Sequence, residues 1–176
     1  MRAAWWVLVL AACGVTPPVP DGGEPPSWPA GAVEIGIPFE TSNFTTWGFQ
    51  DMPAEVELHA GAQGGFHLPT SFRVNGQSQN AATFDYRVRR ARDGVLVSKG
   101  TRTYDVAPMD GGSWVRPDIV IFLCPTPVGV DVVGEALDFE VSVSNEAGAI
   151  LGVGTAHALL KCPASNEPFC LSVCKG

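Results

Sequence analysis

What most limits the fold of this chain is the recurrence of an apolar residue at every second position. Thr83-Phe84-Asp85-Tyr86-Arg87-Val88-Arg89 puts Phe84, Tyr86 and Val88 on one side, and Leu137-Asp138-Phe139-Glu140-Val141-Ser142-Val143 does the same with Leu137, Phe139, Val141 and Val143. A strand sends successive side chains to opposite faces, so a period of two yields one dry face and one wet face; a helix of 3.6 residues per turn would scatter the same residues around its axis. Asp93-Gly94 then turns the chain into Val95-Leu96-Val97-Ser98, and Asn145-Glu146-Ala147-Gly148 turns it into Ala149-Ile150-Leu151-Gly152-Val153, which predicts two hairpins. Further strands are expected over Ala32 to Ile37, Glu55 to Ala60, Phe66 to Val74, Thr101 to Val106 and Asp118 to Cys124. Ile119-Val120-Ile121-Phe122-Leu123 is apolar throughout, which predicts a central strand covered on both faces, in the deepest part of the core. No stretch holds a helical period for long.

From Ala32 onward there are about 145 residues, a length that buries one core. Eight or nine short strands divided by turns predict an all-β fold, an antiparallel sandwich of immunoglobulin or fibronectin type III character; a closed barrel is the alternative.

Ahead of that domain the sequence changes character twice. Met1 and Arg2 give a short positive start, Ala3 to Leu10 an apolar run, and Ala11 and Ala12 a small-residue site, the layout of an export signal. The run is far shorter than the roughly 18 residues of a bilayer-spanning helix. Leu10-Ala11-Ala12-Cys13 resembles the lipobox of bacterial lipoproteins. That resemblance implies that the Cys13 thiol takes a diacylglyceryl group, that the chain is cut before Cys13, and that the acylated end anchors the protein in membrane lipid, two or three chains holding stably where one would not. Gly14 stands where many lipoproteins retained in the inner membrane carry Asp, so in a cell with two membranes the resemblance favours the outer one. Residues 14–30, GVTPPVPDGGEPPSWPA, read as a semi-rigid tether, extended by about 3.1 Å per residue where it is polyproline-like. The expected organisation is signal 1–12, lipidated Cys13 with tether 13–31, and a β-sandwich domain with a cysteine-rich tail over 32–176.

Composition excludes some partners. The formal charge is -7, with 45% hydrophobic and 16% charged residues, and an acidic chain repels phosphate backbones, so no nucleic-acid partner is expected. Arg87, Arg89, Arg90 and Arg92 form the one basic cluster and are read as the solvent face of a strand.

With Cys13 assigned to lipid, Cys124, Cys162, Cys170 and Cys174 remain, and an even number in an exported chain predicts two disulfides. Three pairings are possible. The favoured one joins Cys124 to Cys162, since Leu123-Cys124-Pro125 and Lys161-Cys162-Pro163 both look like strand ends, and Cys170 to Cys174 in a local loop. The alternative pins Cys170 or Cys174 back to Cys124. A functional reading treats Cys170-x-x-x-Cys174 as a soft-metal pair resembling the CxxxC of exported copper-handling proteins. Those proteins are thioredoxin-like, and this chain shows no alternation of strand and helix.

Histidine is scarce: His59, His67 and His157 are all there are. No HExxH, G-x-S-x-G, phosphate-binding glycine loop or paired zinc-ligand spacing occurs, so no catalytic residue, metal or cofactor is expected, and a three-histidine site would require all three strands to be neighbours. The local feature that stands out is Gly61-Ala62-Gln63-Gly64-Gly65-Phe66-His67, a glycine-rich turn opening a strand. It resembles the G-x-Q-G-G-x-H stretch of myxobacterial lipoproteins of similar size, as do the lipobox, Leu123-Cys124-Pro125 and the cysteine-rich tail. That family brings no assigned activity, so the resemblance implies fold and location only. Gln63, Gly64, Gly65 and His67 are candidate binding residues, the bland reading being a hairpin turn whose Gln63 and His67 satisfy nearby backbone. Trp47, in Phe39 to Phe49, and Trp114, after Met109-Asp110-Gly111-Gly112-Ser113, join them as aromatics in polar, irregular segments that could grip a peptide or stack on sugar, or else cap the core. The chain reads as a non-enzymatic, membrane-anchored module for binding a protein or glycan at the cell envelope. The alternatives are a copper-type metal-handling protein using Cys170 and Cys174, and a hydrolase with an unrecognised catalytic set.

Overall fold

The computed structural model describes residues 32–40, 47–75, 81–108 and 113–175. Cys13, the signal and the tether lie outside the described residues, as do Thr41–Thr46 and Met109–Gly112 of the two aromatic segments.

Two sheets pack face to face. The first holds β1 (Val33–Glu40), β2 (Trp47–Asp51), β4 (His59–Ala60), β5 (Phe66–Asn75), β8 (Ala107–Pro108) and β9 (Ser113–Cys124), in the order β2-β1-β5-β9-β8 with β4 also pairing β5. The second holds β3 (Glu55–Glu57), β6 (Ala81–Arg90), β7 (Leu96–Asp105), β10 (Ala136–Ser144) and β11 (Ile150–Lys161), in the order β3-β11-β10-β6-β7. The all-β sandwich expected from the alternation is therefore the fold. One pair departs from the antiparallel rule, β3 running parallel to β11.

The period-two rows meet in the middle. Phe66, Leu68, Phe72 and Val74 of β5 with Ile119, Ile121 and Leu123 of β9 face Phe84, Tyr86 and Val88 of β6 and Leu137, Phe139, Val141 and Val143 of β10, all of them buried. Phe72 stacks on Phe84 with ring centres 5.2 Å apart, joining the two layers. Thr70 is the polar member of the inner row, and its hydroxyl donates to the Ile119 carbonyl at 2.7 Å, so its burial leaves no orphaned group.

Both predicted hairpins form. Gly94 and Gly148 take positive φ in the turns, and the Asn145 side chain accepts from the Ala149 amide. The two strands expected on either side of Gly100 are a single strand, β7.

Three expectations are corrected. Ile119–Leu123 is not covered twice: Ile119, Ile121 and Leu123 are buried, but Val120 is half-buried and Phe122 is 56% exposed, because no layer lies over the outer face of the first sheet at that point. The four arginines do not share one solvent face. Arg87 and Arg89 point outward, but Arg90 falls in the inner phase of β6 and is 6% exposed, bound to Asp93 at 2.6 Å and to the Asp131 carbonyl, while Arg92 pairs with Glu135 at 2.8 Å. The favoured disulfide pairing is also overturned: the bridges are Cys124–Cys174 and Cys162–Cys170. The reason is a helix that the hydrophobic period does not announce, α1 (Glu167–Cys174), entered through Pro168 in its first turn. Positions i and i+4 lie on one helix face, so Cys170 and Cys174 are buried together against the domain. There one reaches the end of β11 and the other the end of β9, with Cα separations of 5.8 and 5.1 Å. The alternative that pinned the tail to Cys124 is the one observed.

The two bridges close loops of very different length, 50 and 8 residues in sequence separation. In the chain-entropy picture Cys124→Ala/Cys174→Ala should cost about 4 kcal/mol and Cys162→Ala/Cys170→Ala about 2.5 kcal/mol, read from urea unfolding of the two double variants. A smaller loss for the first variant than for the second would contradict this.

Candidate functional site

The chain Ala60-Gly61-Ala62-Gln63-Gly64-Gly65-Phe66 reverses direction between β4 and β5. The Gly61 amide donates to the Gly65 carbonyl at 2.8 Å and the Gly64 amide to the Gly61 carbonyl at 3.1 Å. Gly64 has φ +84°, a left-handed conformation that a side chain resists, and a Cβ on Gly65 would stand 2.6 Å from the Cys124 carbonyl oxygen. The turn can therefore lean against the end of β9 only as glycine.

The next outward residue, His67, sits in a row across three strands. His59 of β4 is its direct partner on one side, ring centres 6.2 Å apart, and Phe122 of β9 its partner on the other, at 5.9 Å. Between the turn and β9 lies a cleft of about 410 Å³. Its walls are Gly61, Ala62, Gln63 and Gly65 from the turn, His67 from β5, and Val120, Phe122, Cys124 and Pro125 from β9 and its exit. None of these residues carries a full charge. His67 is held below its ordinary pKa of 6.5, first because burial disfavours the imidazolium and second because His59 faces it. Its Nδ1 is enclosed and has no hydrogen-bond partner.

Of the sequence candidates, Gln63, Gly65 and His67 line the cleft and Gly64 shapes its turn. Trp47 and Trp114 are not in irregular loops as expected: their backbones belong to β2, opposite Glu40, and to β9, opposite Val74. Trp114 is thus at the other end of β5 from His67. Phe122, Val120, Pro125 and His59 were not singled out as site residues. The signal for Phe122 and Val120 was present in the unbroken apolar run over 119–123, whose outward members needed a purpose once one face was known to be open.

His157 lies in the other sheet, so the three histidines do not converge. It is bonded to Asp138 at 2.8 Å on the exposed face of the second sheet, above a shallow depression shared with Glu140 and Thr155. No hydroxyl or thiol among the described residues is hydrogen-bonded to His157 or His67, and the Cys170 and Cys174 sulfurs are both committed to disulfides, which removes the thiolates a copper-type site would use. Among the described residues no group of three or more His, Cys, Asp or Glu is placed to hold a metal ion. On the same exposed face Arg87 and Arg89 stand directly across from Glu140 and Asp138, so the basic cluster forms part of a mixed-charge ladder.

Fold and site together define a disulfide-stapled β-sandwich with a neutral cleft at one end. No protein-family model matches the chain, and no curated protein matches it. Among solved structures it is similar to the CooA pilin subunit from enterotoxigenic Escherichia coli, at 12% identity, covering 74% of this chain and 99% of that one with a TM-score of 0.27. A superposition that loose defines neither the fold nor the function of this chain.

The depressed pKa of His67 makes acid stability a test of its surroundings. Between that pKa and 6.5 the unfolded chain binds more protons at this site than the folded one, so the site's contribution favours folding above pH 6.5 and is lost as pH falls through that window. His67→Gln should flatten the fall of the urea midpoint between neutral and mildly acidic pH; an unchanged slope would mean that His67 is freely solvated.

Proposed function

We propose that this chain is a lipid-anchored binding module of the cell envelope, non-enzymatic, which presents the cleft beside His67 and Phe122 to a protein partner. The observation that carries the reading is where the cleft lies relative to the point at which the chain enters the domain. Val33 pairs with Val74, and the Asn75 amide donates to the Ala32 carbonyl, whereas the cleft is at the Phe66–His67 end of β5. Those ends are roughly 25 Å apart at about 3.3 Å per residue. With Cys13 acylated and residues 14–31 as tether, the lipid would be joined to one pole of the domain and the cleft is at the other. Gly14 after the lipidated cysteine favours the outer membrane where two membranes exist.

The wall chemistry favours an apolar or aromatic side chain of a protein over a glycan. A sugar needs several polar groups to meet its hydroxyls, and among the described residues of the wall Gln63 and His67 are the polar side chains, set among Val120, Phe122 and Pro125. An exposed aromatic beside a concave apolar surface is the usual anchor of a protein contact.

The test places a photo-crosslinking amino acid at residue 122 and, as a control, at residue 140 on the charged face, in the lipidated protein in its own membranes. Crosslinking to a defined envelope protein from 122 and not from 140 is expected. Equal labelling from both faces would remove the cleft as the contact site. In the same cells Cys13→Ala should move the protein from the membrane to the soluble fraction, and continued sedimentation with membranes would refute the anchor.

A further inference from the structure

We infer that His59 and His67 form a two-imidazole site for a late first-row divalent cation, Cu²⁺ in preference to Zn²⁺, beside the cleft. The site adjoins the cleft through His67, which lines it, and does not depend on any partner being bound.

The case begins with register. His59 and His67 are directly opposed across β4 and β5, and directly opposed residues of an antiparallel pair send their side chains to the same face with Cβ atoms about 5 Å apart. Their ring centres are 6.2 Å apart. Imidazole nitrogen binds such ions at about 2.0–2.1 Å, which puts each ring centre about 3 Å from a shared ion and the two centres about 5–6 Å from each other. The observed spacing is at the wide end of that range, and a small side-chain rotation of exposed His59 closes it. His67 Nδ1 is enclosed against Gly61, which leaves Nε2 as its ligating nitrogen.

The donor set decides the kind of ion. Among the described residues no carboxylate joins the two histidines, so a hard cation such as Ca²⁺ or Mg²⁺, which takes oxygen ligands, has little to hold it. Neutral imidazoles suit copper, nickel and zinc, and for nitrogen donors affinity rises to a maximum at Cu²⁺. With two protein ligands, binding is far weaker than at a four-ligand structural site. The remaining coordination positions are left to water.

The experiment titrates Cu²⁺, and separately Zn²⁺, into the mature lipidated protein in mild detergent at neutral pH against a chromophoric competitor, with electron paramagnetic resonance of the copper form. One equivalent of Cu²⁺ with nitrogen couplings from two imidazoles is expected, and Zn²⁺ more weakly. His59→Gln, at an exposed position, and His67→Gln should each weaken binding by about 20-fold or more, since losing a ligand costs at least as much as losing a group that orients one, while His157→Gln changes nothing. Absence of saturable binding, or binding that His59→Gln leaves unaltered, would overturn the site. Metal binding without crosslinking from residue 122 would keep the site and reject the partner reading; crosslinking without metal binding would do the reverse.

Discussion

Burial of the inner row of β5 is the constraint on which the rest of the molecule depends. Phe66, Leu68, Thr70, Phe72 and Val74 alternate along one strand, and each is at most 2% exposed. Burying an aromatic or aliphatic side chain of this size is worth about 1.5–3 kcal/mol, so the row as a whole locks the strand against β6 through the Phe72–Phe84 stack. A slip of one residue would turn every one of these side chains to water. Because the register cannot slip, the intervening residues must face outward, and His67 is delivered to the same row as His59 and Phe122.

The two outer faces that result are unlike each other. That of the second sheet is a ladder of opposed charges, with Asp138 between Arg89 and His157, and Glu140 between Arg87 and Thr155. Such a face is well solvated, and covering it costs the hydration of its charges. The outer face of the first sheet carries the cleft, and further along β5 Arg73 pairs with Glu34 while its guanidinium lies 4.4 Å above the Phe49 ring. Both disulfides and α1 gather at the cleft end, since Cys124 closes β9 and Cys162 follows β11. A glycine turn braced against a cross-linked strand end is a rigid way to hold a recognition surface.

Legibility in the sequence followed the range of each interaction. The strands of β6 and β10 and the turns at Asp93-Gly94 and Asn145–Gly148 were readable because alternation and turn chemistry are local. α1 was not: it is eight residues long, its burial is supplied by the two cysteines, and no repeating apolar stripe marks it. Arg90 misled for a related reason. Its neighbours Arg87, Arg89 and Arg92 make a basic run in sequence, but strand phase turns it inward, and only the nearby Asp93 and the Asp131 carbonyl make that burial tolerable. Of the site, the Gly61–His67 turn was visible as a conformational oddity; its partners His59 and Phe122 were not, because they meet it only through pairing with two other strands.

By itself, then, the sequence determined the all-β class, the core-facing rows, two hairpins and the presence of two disulfides, since these rest on side-chain period, backbone preference and cysteine count. Tertiary structure decided which cysteines pair, which face of the Ile119–Leu123 strand stays open, and that a neutral cleft forms beside His67. Those outcomes depend on which strands become neighbours, and that is set by the summed burial of the whole core.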